Sequence, residues 1–216
     1  ANRALLDLAL EAARLGLPVD GFHSGGTPGG VSLSSADLRG AGPFARDAPL
    51  IASLERLADQ VSHGSDPPRY LVRFNPSRDG RAVVAVGDPD RSAAVLTYVP
   101  GMTSDLASLG GELDRAARVA EHATELEPAR RTAAVLWLDY DAPDFVDEAV
   151  SAAPARDAAP ALHRFQEGLR AGHEGDPARQ TVLGHSYGSL VVGKAAAEPG
   201  LQADSVVFVG SPGVGV

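Results

Sequence analysis

Gln180 to Ala197 reads QTVLGHSYGSLVVGKAAA, and its interpretation decides the rest of the chain. Thr181-Val182-Leu183 is a short apolar strand pattern. Gly184-His185-Ser186-Tyr187-Gly188 is a turn, and a run of small and apolar residues from Ser189 has helical character. Strand, tight turn and helix is the context in which Gly-x-Ser-x-Gly forms a nucleophile elbow. A serine in so sharp a turn is held at strained backbone angles with its hydroxyl raised off the sheet. The residues two before and two after it approach each other and must be small, and here they are Gly184 and Gly188. The helix that follows directs its free N–H groups and positive dipole end to the same place. Without those flanks the pentapeptide fits an ordinary glycine-rich turn equally well.

Working outward, Tyr70–Phe74 and Arg81–Val86 are strand patterns joined through Pro76-Ser77-Arg78-Asp79-Gly80, as in a hairpin. Ala93–Val99 is an apolar strand that runs into Pro100-Gly101-Met102-Thr103-Ser104. A helix is expected over Leu109–Leu126, with Leu109, Leu113, Ala116, Ala120 and Ala123 inward. Thr132–Leu138 is a further apolar strand and ends in Asp139-Tyr140-Asp141. A helix over Asp157–Ala171 turns Ala158, Leu162, Phe165 and Leu169 inward, and Ser205–Val209 is the last strand. Apolar strands alternating with amphipathic helices imply a mostly parallel sheet covered on both faces. Right-handed crossovers then gather the loops after Val99, Leu138, Leu183 and Val209 at one sheet edge.

Residues 1–65 read differently. Leu5, Leu8, Ala12 and Leu15 share a face of a first helix, and Leu50, Leu54, Leu57 and Val61 share a face of a second. Between them Asp20–Pro49 is rich in Gly, Ser and Pro. Its GFHSGGTPGG segment lacks the strand before it and the Lys-Ser/Thr ending of a phosphate loop, which leaves a connector as the reading. The expected organisation is a helical lead-in with its connector over 1–65 and an α/β core over 66–216.

The 216 residues are 44% hydrophobic, enough for one α/β domain, and no apolar run reaches the ~18–20 residues of a membrane span. A net charge of −9 with scattered arginines, and Lys194 as the single lysine, argues against nucleic acid and anionic membrane as partners. With no cysteine there is no disulfide, thiolate metal site or cysteine nucleophile. No His/Asp/Glu cluster has metal-ligand spacing, so neither a metal nor a cofactor is expected. The compartment is not legible. The chain opens on Ala1 in mid-helix and stops just after a strand, so it reads as a fragment.

The order of these elements resembles the first six strands of the α/β-hydrolase fold. AVGDPDRSAAVLTYVPGMTSDL, WLDYDAP, TVLGHSYGSLVVGKAA and VVFVGSPGVGV are together similar to an actinobacterial α/β-hydrolase family of unknown function, over about residues 70–216. Members of that family often carry helical N-terminal regions of the type associated with type VII secretion, a link that rests on the resemblance alone. The resemblance implies a nucleophile at Ser186 and an oxyanion hole of two backbone N–H groups, from Tyr187 and from Met102 in the loop after the third strand. Gly101 permits the close turn there. Gly101, Thr103, Asp139 and Ser211 are candidates for substrate contacts. For Asp139 and Asp141, capping of the next turn is the slightly favoured alternative.

A serine hydrolase of this fold places its acid and then its histidine after the nucleophile. After Ser186 the chain offers Glu198 and Asp204, both expected at the wrong end of the sheet, and no histidine. His185 should point away from Ser186. His122, His163 and His173 fall on or beside helices, and His23 and His63 in connectors. The expectation is therefore a serine hydrolase acting on a carboxylic ester or related acyl substrate, lipid-like in view of the apolar loops, with acid and base beyond residue 216. Thioesterase or transacylase chemistry would use the same residues. The alternative from another class is a non-catalytic scaffold that binds a partner or secreted cargo.

Overall fold

A computed structural model describes residues 2–19, 22, 24, 47–62, 64–145, 149 and 151–215. Most of the connector expected over 20–49, including nearly all of GFHSGGTPGG, lies outside the described residues, as do His23 and His63. In chain order the elements are α1 (Asn2–Arg14), α2 (Ala48–Gln60), β1 (Arg69–Asn75), β2 (Arg81–Val86), β3 (Ala94–Val99), α3 (Leu109–Leu126), β4 (Thr132–Leu138), α4 (Ala153–Gly172), β5 (Arg179–His185), α5 (Gly188–Ala197) and β6 (Ser205–Val209).

The six strands form one sheet in the order β1-β2-β4-β3-β5-β6. β2 runs antiparallel to both β1 and β4, and the remaining pairs are parallel. Five strands therefore share one direction, and β2 alone is reversed. The strand interiors explain this sheet. β2, β3 and β4 bury almost every residue, as strands covered on both faces must.

The order of crossing matters for function. The chain leaves β3 through α3 to reach β4 on one side, then returns past β3 to β5 and β6 on the other. With right-handed crossovers, α3 must cover one face and α4 and α5 the opposite one. The neighbours β3 and β5 thus send their connections to opposite faces, which makes their carboxyl ends the switch point where ligands bind in open α/β sheets.

The lead-in helices join the same core. Leu6, Ala9, Leu54 and Leu57 are buried in one apolar cluster with the sheet, and Asn2 Nδ2 donates to the Leu71 and Val72 carbonyls. The buried face of α1 differs from the expected one: it is Leu6, Ala9, Ala12 and Ala13, while Leu8 and Leu15 are 53% and 64% exposed. Leucines lie all round this helix, so periodicity fits two stripes. The alanine-rich stripe allows the closer approach to its neighbours. In α3, Ala123 is exposed near the last turn, where the helix runs past the core. The helix α4 starts before Asp157, at Ala153, with Pro154 in its first turn, where the missing N–H costs nothing. Its Gln166 is fully buried and donates to Thr97 Oγ1 of β3 at 2.7 Å. No described helix is long and apolar enough to cross a membrane.

Candidate active site

Ser186 sits between β5 and α5 with φ of +52°. Side chains other than glycine avoid this region because Cβ crowds the following carbonyl. Three hydrogen bonds hold the turn in place. Ser186 N–H donates to the Val209 carbonyl at 2.9 Å, Ser189 N–H donates to the Ser186 carbonyl at 3.0 Å, and the buried Ser189 hydroxyl donates to the Gly184 carbonyl at 3.0 Å. The turn is overdetermined, which is the condition for strain to persist. Among the described residues Arg78 (φ +58°) and Thr103 (φ +61°) are the other non-glycine residues in this region. Both lie in loops at the same carboxyl edge, after β1 and β3.

The two elbow glycines are small for different reasons. A Cβ on Gly184 would stand 2.7 Å from Ser189 Cα and 2.8 Å from the Gly188 carbonyl oxygen, a clash across the turn as the motif implies. A Cβ on Gly188 would instead meet the carbonyl oxygens of Val99 and Pro100, at 2.3 and 2.5 Å. What forbids a side chain at Gly188 is the end of β3.

The loop after β3 lies against Ser186. A Cβ on Gly101 would be 2.7 Å from Ser186 Cβ and 3.1 Å from its Oγ. Gly101 is therefore required by close approach to the serine. Met102 follows, half-buried, and then the exposed Thr103, whose N–H donates to the Pro143 carbonyl at 2.8 Å. Among the described residues, neither the Met102 N–H nor the Tyr187 N–H donates a hydrogen bond. Tyr187 is itself buried, its hydroxyl donating to the Ser151 carbonyl at 2.6 Å, and burial pushes its phenol pKa up. Ser211 lies in the loop after β6, where its Oγ accepts from Gly213 N–H.

The neighbouring loops are held by ion pairs. Arg73 of β1 pairs with Asp139 at 2.7 Å, and Arg78 with Asp141 at 2.6 Å. Among the described residues both carboxylates bond arginines of β1 and its loop, and neither bonds the turn that follows, where capping was the favoured expectation. Because β1 runs parallel to β4, its loop also lies at this edge and brings arginines within reach. The β1 loop is not among the four loops expected at the site, although a hairpin over β1 and β2 implies this direction for it. An open cleft of about 800 Å³ lies here, walled by Arg73, Arg78, Asp139, Tyr140, Asp141 and Ser151 among others. Ser186 is not in its wall. A larger hollow of about 1220 Å³ opens at the amino ends of β3 and β4, roughly 20 Å of strand away from the elbow.

Two buried tyrosines flank the elbow region. No local sequence pattern marks Tyr140, which stands between the two aspartates. It is 3% exposed, stacks on Trp137, and donates to the Pro100 carbonyl at 2.7 Å. Tyr98 of β3 bonds Glu112 and Arg115 of α3, and burial pushes its phenol up to about 12.

No described histidine bonds Ser186 Oγ. His185 turns onto the α3 face and stacks on Tyr98, with ring centroids 6.2 Å apart, and its Nδ1 is buried without a partner. His163 and His173 bond the carbonyls of Gly200 and Pro89 beyond the amino ends of the strands, and His122 pairs with Glu125 on exposed α3 surface. Asp204 lies before β6 and accepts from Gln180 N–H, which with Arg170 holds its carboxyl below the usual range. Glu198 caps the far end of α5. Among the described residues no group of three or more His, Asp or Glu could hold a metal ion.

Comparison with known proteins agrees with this architecture. An uncharacterized protein of Mycobacterium tuberculosis, Rv2079, is 36% identical over 177 residues, covering 73% of this chain and 27% of that protein. Another from the same organism, Rv0963c, and its Mycobacterium bovis counterpart Mb0988c are 33% identical over 192 residues, covering 84% of this chain and 71% of theirs. The chain thus spans about a quarter of the length of the first of these relatives. The profile of the family described as "Alpha/beta hydrolase" matches residues 75–216, from the end of β1 onward. With its strand order and helix placement, this chain belongs to the alpha/beta hydrolase family.

Proposed function

We propose that Ser186 is the nucleophile of a serine hydrolase that cleaves a carboxylic ester or related acyl substrate. The observation that carries this reading is the φ of +52° at Ser186 together with Gly101 packed against its Oγ. A fold with no use for that serine could place glycine there and lose the strain. In the proposed reaction the Ser186 oxygen attacks the acyl carbonyl carbon while a base takes its proton. The carbonyl oxygen becomes an oxyanion, accepting from the N–H groups of Met102 and Tyr187. The leaving alcohol departs with a proton from that base, and water then releases the acid and regenerates the serine. The base is assigned to a group outside the described residues, since no described histidine bonds Ser186.

The cleft wall bears on the substrate. Arg73, Arg78, Asp139 and Asp141 would lose hydration beneath a long acyl chain, an uncompensated cost. Their remaining donors and acceptors suit hydroxyl or other polar groups. This reading favours a polar ester over the lipid-like one, with its polar part in the cleft and its acyl carbon at Ser186.

The absence of a described base beside Ser186 favours a second reading, a non-catalytic scaffold. Fluorophosphonate labelling of the full-length protein separates the two. Labelling that vanishes in Ser186→Ala supports the hydrolase. Equal signals from wild type and Ser186→Ala, or none from either, support the scaffold.

A further inference from the structure

Tyr140 stands across the Gly101 loop from Ser186. Strand order puts β3 between β4 and β5. The loop that leaves β3 is therefore flanked by Tyr140, just after β4, and by Ser186, just after β5. Tyr140 is fixed from behind by Trp137, with ring centroids 6.1 Å apart and planes 11° from parallel. Its hydroxyl donates to the Pro100 carbonyl at 2.7 Å and lies 3.3 Å from the Gly101 carbonyl oxygen. A phenol has one proton, so Pro100 is the main acceptor and Gly101 the secondary one.

The consequence runs through one peptide plane. The Gly101 carbonyl and the Met102 N–H belong to the same trans peptide and point in opposite directions. With the carbonyl oxygen drawn to the β4 side, the N–H is turned to the β5 side, where Ser186 lies. We propose that Tyr140 is a positioning residue that aims the Met102 N–H at the oxyanion formed on attack by Ser186. This deepens the nucleophile reading and rests on it. Burial pushes the phenol pKa well up, so the clamp is a donor at neutral pH.

The test uses the full-length protein and a short-chain p-nitrophenyl ester, with kcat, KM and thermal midpoint measured for each variant. Tyr140→Phe keeps the ring and removes the donor. The expected result is at least a tenfold fall in kcat with KM within twofold, since a whole oxyanion donor is worth ~10²–10³ in kcat and this one is misdirected rather than deleted. Trp137→Phe loosens the support and keeps the hydroxyl, and should lower kcat by clearly less than Tyr140→Phe does. Met102→Pro removes the N–H itself, should cost at least as much as Tyr140→Phe, and gives the reading even if Tyr140→Phe fails to fold. A fall of less than tenfold in Tyr140→Phe, a loss in KM instead of kcat, equal losses in Tyr140→Phe and Trp137→Phe, or full kcat in Met102→Pro each overturn the proposal while Ser186→Ala is inactive. Turnover by Ser186→Ala at the wild-type rate overturns the nucleophile reading, and this proposal with it.

Discussion

Gly101 and Ser186 are in mutual contact across two neighbouring strands, so close that a methyl group on Gly101 would stand 2.7 Å from Ser186 Cβ. The contact joins the loop after β3 to the elbow after β5. It also makes the loop testable without touching the serine.

Gly101→Ala should leave the fold largely intact and disable the serine. Overpacking of this kind costs about 1–3 kcal/mol, and a displacement of about 1 Å at a reacting group costs ~10²-fold in rate. We expect fluorophosphonate labelling of the full-length protein to slow about a hundredfold while circular dichroism is unchanged. Labelling at the wild-type rate would mean that the loop yields and that the contact is not part of the site.

Gly188→Val should be far more damaging to stability than Ser186→Ala. The new side chain would begin 2.3 Å from the Val99 carbonyl oxygen, and backbone cannot move aside as a flexible side chain can. The expected loss is about 3 kcal/mol, against about 0.5 kcal/mol or less for Ser186→Ala. Equal thermal midpoints for the two variants would show that β3 and α5 are not in contact here.

Ser186→Gly should stabilise the protein while abolishing the proposed chemistry. At φ +52° serine carries a backbone penalty of about 1–2 kcal/mol that glycine escapes, offset in part by the greater freedom of glycine in the unfolded chain. A net gain of about 1 kcal/mol in denaturant unfolding is expected, with Ser186→Ala showing no such gain. A lower midpoint for Ser186→Gly than for Ser186→Ala would count against a strained elbow.

Asp204 supplies a pH dependence away from the site. Its folded carboxyl is held below the usual value, chiefly by the Gln180 N–H and then by Arg170. A depressed carboxylate contributes stability that is present above its unfolded pKa, near 3.9, and is lost as pH falls through the lower folded value. Asp204→Asn should therefore be less stable than wild type at neutral pH, and the gap should close below about pH 4. Because the carboxylate is partly exposed, the difference should be small and should shrink in high salt. A gap that persists unchanged at pH 3 would assign the effect to something other than charge.

The strand β6 presents Val206, Val207, Phe208 and Val209 at 38–46% exposure, on both of its faces. Among the described residues it pairs only with β5. An apolar edge of this kind promotes strand-to-strand association. The 216-residue chain should sediment with a concentration-dependent average mass, and Phe208→Lys should lower it. A monomer at all concentrations would show that the edge is inert.

The sequence by itself determined the elements, their order and the place of the serine. Alternating apolar strands and amphipathic helices are local patterns, and β2, α3, β4 and β6 begin and end where periodicity puts them. The elbow was legible for the same reason, since its glycines, serine and flanking elements lie within one short segment. Direction was legible too: a hairpin followed by crossovers fixes which loops share an edge. Tertiary structure decided what depends on contacts between distant segments. The inward stripe of α1 was chosen by its neighbours α2 and β1, not by its own periodicity. Asp139 bonds a residue 66 positions away, and Tyr140 bonds one 40 positions away. No spacing rule relates such residues. Gly188 belonged to the motif in either case, but its reason changed, from closure of the turn to the carbonyl of Val99. Backbone propensity and hydrophobic period act over a few residues, whereas the geometry around Ser186 is set by how the ends of β3, β4 and β5 pack side by side.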